Sequence, residues 1–143
     1  MDYRNYDGII YLRADKGDEI LSSILDVCKK ENVRSAFFSG IGGCSSAEIQ
    51  TFIPEKGSFE TERIEGMLEL VSLTGNVISS EEDYSLHAHG IFSYKSGKSH
   101  KVTGGHIKAI TVLYTGEIEI RPVSGGCIGM KINEETGTAM WNF

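Results

Sequence analysis

Proline and cysteine are both scarce in this sequence. The 143 residues include two prolines and three cysteines, which are Cys28, Cys44 and Cys127. An odd number of cysteines without a Cys-x-x-Cys pair argues against a disulfide scaffold. We therefore interpret the three cysteines as reduced, mostly buried thiols, and we expect a cytoplasmic protein.

Long apolar runs and an excess of positive charge are also missing. No stretch approaches the ~18 apolar residues of a membrane helix, and the first residues lack the features of a secretory signal, so we expect no membrane association. Lysine and arginine number 14 against 20 aspartates and glutamates, which gives a formal net charge of −6. This acidic balance disfavours general binding of nucleic acids over a broad surface.

One segment has the periodicity of an amphipathic helix. Asp15 is a candidate N-cap, and Asn32 tolerates the left-handed backbone that ends many helices. Between these two residues, apolar side chains recur at helical spacing: Ile20, Leu21, Ile24, Leu25 and Cys28. The pattern predicts one main helix over about residues 17–31.

Glycine, by contrast, is abundant, and its 17 copies favour turns and close backbone contacts over long helices. Short β-prone or alternating segments fill the rest of the chain: 8–13, 35–40, 47–53, 60–64, 68–74, 84–92, 101–112, 116–120, 128–132 and 138–141. Together with the helix they predict an α+β fold with a largely antiparallel sheet of seven or more strands. No linker or repeat divides the chain, so we expect a single domain over residues 1–143.

The histidines are the first candidates for chemistry. His87 and His89 point to the same face if their segment is a strand, and His106 follows the pair Gly104-Gly105, where a neighbouring backbone can come close. Three imidazoles on adjacent strands can hold a divalent metal such as zinc and leave a fourth position for water. Surface or hydrogen-bonded histidines without a metal are the alternative interpretation.

Glu69 stands in the otherwise apolar run 67–71. Strand alternation can point its carboxylate to solvent. Alternatively it is a buried partner of Arg13, or it orients the histidines or acts as a base near them, because a carboxylate is costly to bury without such a partner. Both interpretations stay open.

The most basic segment is 94–101, which carries Lys95, Lys98 and Lys101 around a turn. A solvated hairpin tip is the simpler interpretation. The alternative is a phosphate-binding patch.

A cluster of glycines lies in the segment 39–45. Ser45 stands where a dinucleotide-binding loop needs a third Gly or Ala, and a strand rather than a helix follows it. We therefore predict a tight connection at which chains pack closely. The adjacent Cys44 has no identifiable base near it in sequence, so we interpret it as buried packing and not as a nucleophile.

Three segments carry the motifs of one known family. Residues 66–76 read Gly-Met-Leu-Glu-Leu-Val-Ser-Leu-Thr-Gly-Asn, residues 86–89 read Leu-His-Ala-His, and residues 104–106 read Gly-Gly-His. They resemble the Gly-x-(Phe/Leu)-Glu-(Ile/Leu)-x-Ser-Leu-x-Gly-Asn, Leu-His-x-His and Gly-Gly-His motifs of the plants-and-prokaryotes conserved (PPC) domain. The resemblance covers essentially the whole chain.

The resemblance implies a twisted, antiparallel-rich sheet and assembly as a homotrimer. Stand-alone prokaryotic members are often described as predicted DNA-binding proteins, so the implied function is a DNA-associated regulatory or assembly module. The family's clustered histidines map onto His87, His89 and His106 and suggest a metal site. The alternative function is therefore a zinc-binding small-molecule binder or a hydrolase-like enzyme that uses this site.

Two departures from the plant members bear on DNA binding. Met67 stands where plant members often have Arg, and the chain has no AT-hook core of the Arg-Gly-Arg-Pro type. The minor-groove reader is therefore missing. We expect at most weak, salt-sensitive DNA binding, with Lys95, Lys98 and Lys101 as the contacts.

Overall fold

The computed structural model describes residues 1–80 and 83–143, which form one helix and eight strands. The helix, α1, spans Ile20–Lys30. In chain order the strands are β1 Asp2–Tyr6, β2 Ile9–Asp15, β3 Ser35–Ile53, β4 Ser58–Ser79, β5 Tyr84–Ser96, β6 Ser99–Pro122, β7 Gly129–Ile132 and β8 Ala139–Asn142.

The strands form one large antiparallel sheet and one small hairpin. The large sheet has the order β1-β2-β6-β3-β4-β5, and β5 also pairs with β6. This extra pairing joins β6, β3, β4 and β5 into a closed ring. The predicted α+β, largely antiparallel fold is confirmed, but the main sheet has six strands, not seven or more, because β7 and β8 pair only with each other among the described residues.

Several predicted short strands are parts of longer ones. The segments 35–40 and 47–53 both belong to β3, and 101–112 and 116–120 both belong to β6. The register shifts at bulges along the β3–β4 and β3–β6 ladders, for example between Cys44 and Ser46. A bulge bends a strand without ending it, so these strands continue through the places where the sequence suggested turns.

The glycine cluster at 39–45 lies inside β3, so the predicted connection there is wrong, whereas the predicted close packing is present. A Cβ atom on Gly40 would lie 2.7 Å from the carbonyl oxygen of Glu117, and one on Gly42 would lie 2.5 Å from that of Thr115. Glycine is needed at these positions because the backbones of β3 and β6 leave no room for a side chain.

Helix α1 begins later than predicted and has a different cap. The carboxylate of Glu19, not that of Asp15, accepts hydrogen bonds from the N–H groups of Leu21 (3.1 Å) and Ser22 (2.7 Å). It also accepts one from Ile110 N on β6 (3.0 Å), so the cap ties the helix to the sheet. The C-terminal boundary agrees with the prediction, since Asn32 has a positive φ of 53° just beyond the helix.

The buried face of α1 packs with the inner faces of the strands in one core. The largest fully buried side chains are Phe92, Ile10, Ile20, Ile24, Leu68, Leu70, Leu73, Ile110, Ile120, Val27, Val77 and Val112. Because side chains alternate along each strand, the residues between these buried positions lie on the outer face of the sheet. Within residues 1–80 and 83–143, no helix combines the length and the apolar character needed to cross a bilayer.

Candidate metal centre

The structure brings the three predicted histidines together on the outer face of the sheet. His87 and His89 lie on β5, two residues apart and on the same side, and both are exposed. His106 lies on β6 directly opposite His89 and is half-buried. On its other side His106 pairs with Gln50 of β3, so strands hold its backbone on both edges.

The ring nitrogens converge on one point. One ligand nitrogen from each histidine lies within 4.8 Å of the other two. The Nε2 atoms of His87 and His89 are 3.2 Å apart, and the three ring centroids are separated by 5.0–5.5 Å. Two nitrogens bound to the same tetrahedral zinc at about 2.0–2.1 Å are about 3.3 Å apart, so the spacing of the His87 and His89 nitrogens fits a shared ion.

Gly104 makes the close approach of β5 and β6 possible. A Cβ atom there would lie 3.0 Å from the Cα of Ile91 and closer still to the carbonyl oxygen of Gly90. All of these are backbone atoms, which cannot turn aside as a side chain can. Gly104 therefore permits the strand spacing that brings His106 to His89.

The electrostatics of the cluster favour neutral imidazoles. Partial removal from water, followed by the neighbouring His89, lowers the pKa of His87 below its ordinary value, although the side chain keeps an exposed surface. Burial also lowers the pKa of His106, with smaller contributions from His87 and His89. A neutral ring keeps a lone pair for a metal, and among the residues that the structure describes no carboxylate joins the three histidines.

An aromatic pair borders the histidines and was missed from the sequence. Phe59 of β4 lies with its ring centroid 5.4 Å from that of His106, and Phe52 of β3 packs edge-on against Phe59 at 5.3 Å. The two phenylalanines are paired across the β3–β4 ladder. The sequence carries only a weak signal for them, namely two phenylalanines flanking the turn at 54–57.

Glu69 is not brought to the histidines. It lies on β4 opposite Ser93, four residues along β5 from His89, which is about 13 Å at the usual rise of a strand. Its side chain is exposed and lines a cleft with Met67 and Tyr114. Arg13 donates instead to Asp15 at 2.8 Å. Of the two interpretations, the structure supports the solvent-facing one.

The three lysines lie at one hairpin tip. Lys95 is the last but one residue of β5, Lys98 is in the turn and Lys101 is the third residue of β6, and all three are exposed. The ladder places Lys95 opposite His100 and Lys101 opposite Tyr94. Because successive side chains of a strand alternate in direction, Lys95 and Lys101 lie on opposite faces of this hairpin, and Lys95 is six residues along β5 from His89.

Cys44 does not have the surroundings of a nucleophile. It is fully buried, and burial followed by the charge of Glu69 raises its pKa to about 12. Burial also raises the pKa of Cys28 to about 11. A thiol that stays protonated and inaccessible is unreactive at neutral pH.

Comparison with protein families identifies the chain. The model of the Plants and Prokaryotes Conserved domain matches residues 1–124, so the protein belongs to this family. No protein of curated function matches the sequence at a significant level.

Several solved structures share the whole fold. A plant- and prokaryote-conserved protein from Pyrococcus horikoshii is 29% identical, with 99% of this chain and 95% of that chain covered and a TM-score of 0.83. A metal-containing protein from Archaeoglobus fulgidus is 27% identical, with 99% and 97% covered and a TM-score of 0.82. A candidate DNA-binding protein from Bacteroides thetaiotaomicron is 20% identical, with 99% and 96% covered and a TM-score of 0.90, a likeness of fold alone.

Proposed function

We propose that this PPC-domain protein binds a divalent transition metal such as zinc through His87, His89 and His106. The observation that carries the proposal is the convergence of three imidazole nitrogens within 4.8 Å on adjacent strands. The similar Archaeoglobus fulgidus structure is named as that of a metal-containing protein, which supports the same conclusion. The three cysteines of the present chain are free thiols, which are typical of proteins in a reducing compartment. We therefore propose that the protein acts in the cytoplasm.

The donor set indicates what the centre would do. Three histidines leave the fourth coordination position of a tetrahedral zinc ion open. A zinc ion held by the three histidines would act as a Lewis acid on a small ligand in that position. The strands hold the histidine backbones, while the exposure of His87 and His89 leaves the cluster accessible from solvent. A binder or an enzyme acting on small molecules is therefore the function that the geometry supports best.

Metal content of the purified protein tests this proposal. The wild type is expected to hold about one ion per chain after zinc loading and desalting. His89→Ala and His106→Ala are each expected to lose it, whereas His100→Ala, on the exposed hairpin opposite Lys95, is expected to retain it. Equal metal content in all four proteins would overturn the proposal.

A second proposal is a DNA-associated role through the basic hairpin tip of Lys95, Lys98 and Lys101. Their common exposure supports it, as do the names of similar structures from Bacteroides thetaiotaomicron and Ralstonia eutropha, which are those of candidate DNA-binding proteins. Three phosphate contacts predict a slope of about −2.7 for log K against log salt.

Fluorescence anisotropy with a labelled duplex at several salt concentrations tests the second proposal. Replacing the three lysines with glutamate should abolish binding, whereas Lys16→Glu, an exposed lysine before α1, should leave it unchanged. The proposal fails if the wild type does not bind at low salt, or if the triple variant binds equally well.

We also propose that the protein assembles as a homotrimer, as its family resemblance implies. A cluster of apolar side chains on the outer face supports self-association: Ile41, Met67 and Tyr114 line one cleft with Val71, which is 52% exposed. Exposed apolar clusters of this kind commonly mark protein interfaces.

Light scattering tests the assembly. The wild type is expected at three times its 15.7 kDa chain mass, and Val71→Asp at the mass of a monomer. Val102→Asp replaces a valine that is 70% exposed on the basic hairpin and should leave the mass unchanged. A monomeric wild type at micromolar concentration would contradict the proposal.

A further inference from the structure

We propose that Phe59, backed by Phe52, forms the apolar wall of a ligand site at the three histidines and selects for ligands that carry a flat apolar group. The inference rests on the proposed metal site and adds the class of molecule that would occupy it. That class is a small anion in which a carboxylate or hydroxamate group, for the metal, is joined to an aromatic or similarly planar group.

The position of Phe59 follows from the ladders around His106. Gln50 of β3 pairs with His106 on one side and with Thr61 of β4 on the other. The next outward-facing pair along the same two strands is Phe52 with Phe59. The ring of Phe59 therefore leans over toward His106, at a centroid distance of 5.4 Å and an interplanar angle of 35°.

The exposure of the pair leaves a face for a ligand. Phe52 is 50% exposed and Phe59 is 51% exposed, although each ring already packs on the other. Small-molecule sites commonly combine apolar and aromatic side chains with a few convergent polar groups. Because the ring of Phe59 lies 5.4 Å from that of His106, a ligand held at the metal would lie next to it.

The charge of the site sets the other half of the ligand. Three neutral imidazoles leave the full charge of a divalent ion uncompensated, so an anionic oxygen donor is favoured. Two cations on adjoining strands, Arg63 of β4 and Lys108 of β6, are paired with Glu48 at 3.3 Å and 2.9 Å. In this proposal the metal attracts the anionic group of the ligand, and Phe59 contacts its apolar part.

Two hydroxamates separate these contributions. Acetohydroxamate and benzohydroxamate carry the same metal-binding group, and only the second carries a ring. Cobalt-loaded protein reports binding of each through its visible absorption spectrum, independently of any activity. The wild type is expected to bind benzohydroxamate at least tenfold more tightly than acetohydroxamate.

Variants of the wall complete the experiment. Phe59→Ala should reduce the tenfold preference to about twofold while leaving acetohydroxamate affinity unchanged, and Phe52→Ala should reduce it partly. Tyr6→Ala removes an aromatic side chain from another exposed pair, with Tyr11, on β1 and β2, and should change neither affinity. Circular dichroism of each variant establishes that it is folded.

The outcomes distinguish this inference from the proposed function. If the wild type takes up no cobalt, the metal proposal itself fails, and the inference fails with it. If cobalt binds but neither hydroxamate perturbs its spectrum, or if Phe59→Ala keeps the full preference for benzohydroxamate, the metal proposal stands and the apolar wall is refuted.

Discussion

Gly104→Ala is the sharpest test of how the fold builds the histidine cluster. The residue lies on β6 two positions before His106, directly opposite Ile91 of β5. The added methyl group would lie 3.0 Å from the Cα of Ile91 and closer to the carbonyl oxygen of Gly90. Because the obstacle is backbone on both counts, relief requires the two strands to separate.

The size of the effect follows from contact distances. Carbon atoms pack best at about 3.5–4.0 Å, so the strands must move apart by about 0.5 Å at Ile91 and by more at Gly90. Overpacking of this kind costs about 1–3 kcal/mol. Ligand distances in metal sites stay within about 0.2 Å of their usual values. Metal binding to the variant must therefore pull the separated strands back together, which restores the unfavourable contacts of the added methyl group. We expect metal affinity to fall by about 5- to 150-fold.

Competition with a chromophoric chelator measures the affinity for zinc in the wild type and in two variants. Gly126→Ala is the matched control, since a Cβ atom there would meet nothing within 4 Å. It should bind zinc like the wild type, and thermal unfolding should show Gly104→Ala to be folded but less stable. A folded Gly104→Ala protein with wild-type zinc affinity would refute the link between strand spacing and the metal site.

Three further predictions concern the thiols and the helix cap. With a thiol reagent at pH 8, exposed Cys127 should react quickly and the buried Cys28 and Cys44 only after unfolding. Burial raises the pKa of Cys28 from 9.0 to about 11 and that of Cys44 to about 12, so these thiols ionise at lower pH in the unfolded chain than in the folded one. The free energy of unfolding, measured by urea titration, should therefore fall as the pH rises above about 9. Glu19→Ala removes the acceptor for three backbone N–H groups. It should lower the free energy of unfolding by about 1–3 kcal/mol, whereas Asp26→Ala, on the exposed face of α1, should change it little.

The start of α1 illustrates what local sequence cannot decide. Asp15, Asp18 and Glu19 all precede the helix, and aspartate is by intrinsic preference the better N-cap. Glu19 is the cap in the structure because its longer side chain accepts from both the helix and Ile110 N of β6. That second contact joins residues 91 positions apart, so periodicity and capping rules placed the helix but not its first residue.

The strands show the same division between local pattern and distant contact. Alternation correctly placed β-structure in 35–40 and 47–53, yet these are the two ends of β3. The bulge between Cys44 and Ser46 is fixed by the partners on β4 and β6, and the sequence around it reads like a turn. A bulge depends on the register of two neighbouring strands, and no single segment contains that information.

In the candidate site, too, some features follow from local sequence and others only from distant contacts. Period-two spacing was sufficient to put His87 and His89 on one face, and the Gly-Gly pair before His106 indicated close strands. The apolar wall of Phe59 and Phe52 was missed because Phe59 and His106 lie on strands that are not neighbours. They come together because β3, through Gln50, pairs with both β4 and β6. Such a contact follows from the order of strands in the sheet, which residue patterns do not specify.

The histidine cluster lies where the sheet closes on itself. His106 belongs both to the ladder with β3 and to the ladder with β5, and the pairing of β5 with β6 closes the ring. His89, its partner across that closure, supplies a second ligand nitrogen. A metal bound to both His89 and His106 would link β5 to β6, and it would bind only when these two strands are paired. Ligands that bind the native state alone stabilise it by mass action, so a metal held at the proposed site would stabilise the closed sheet.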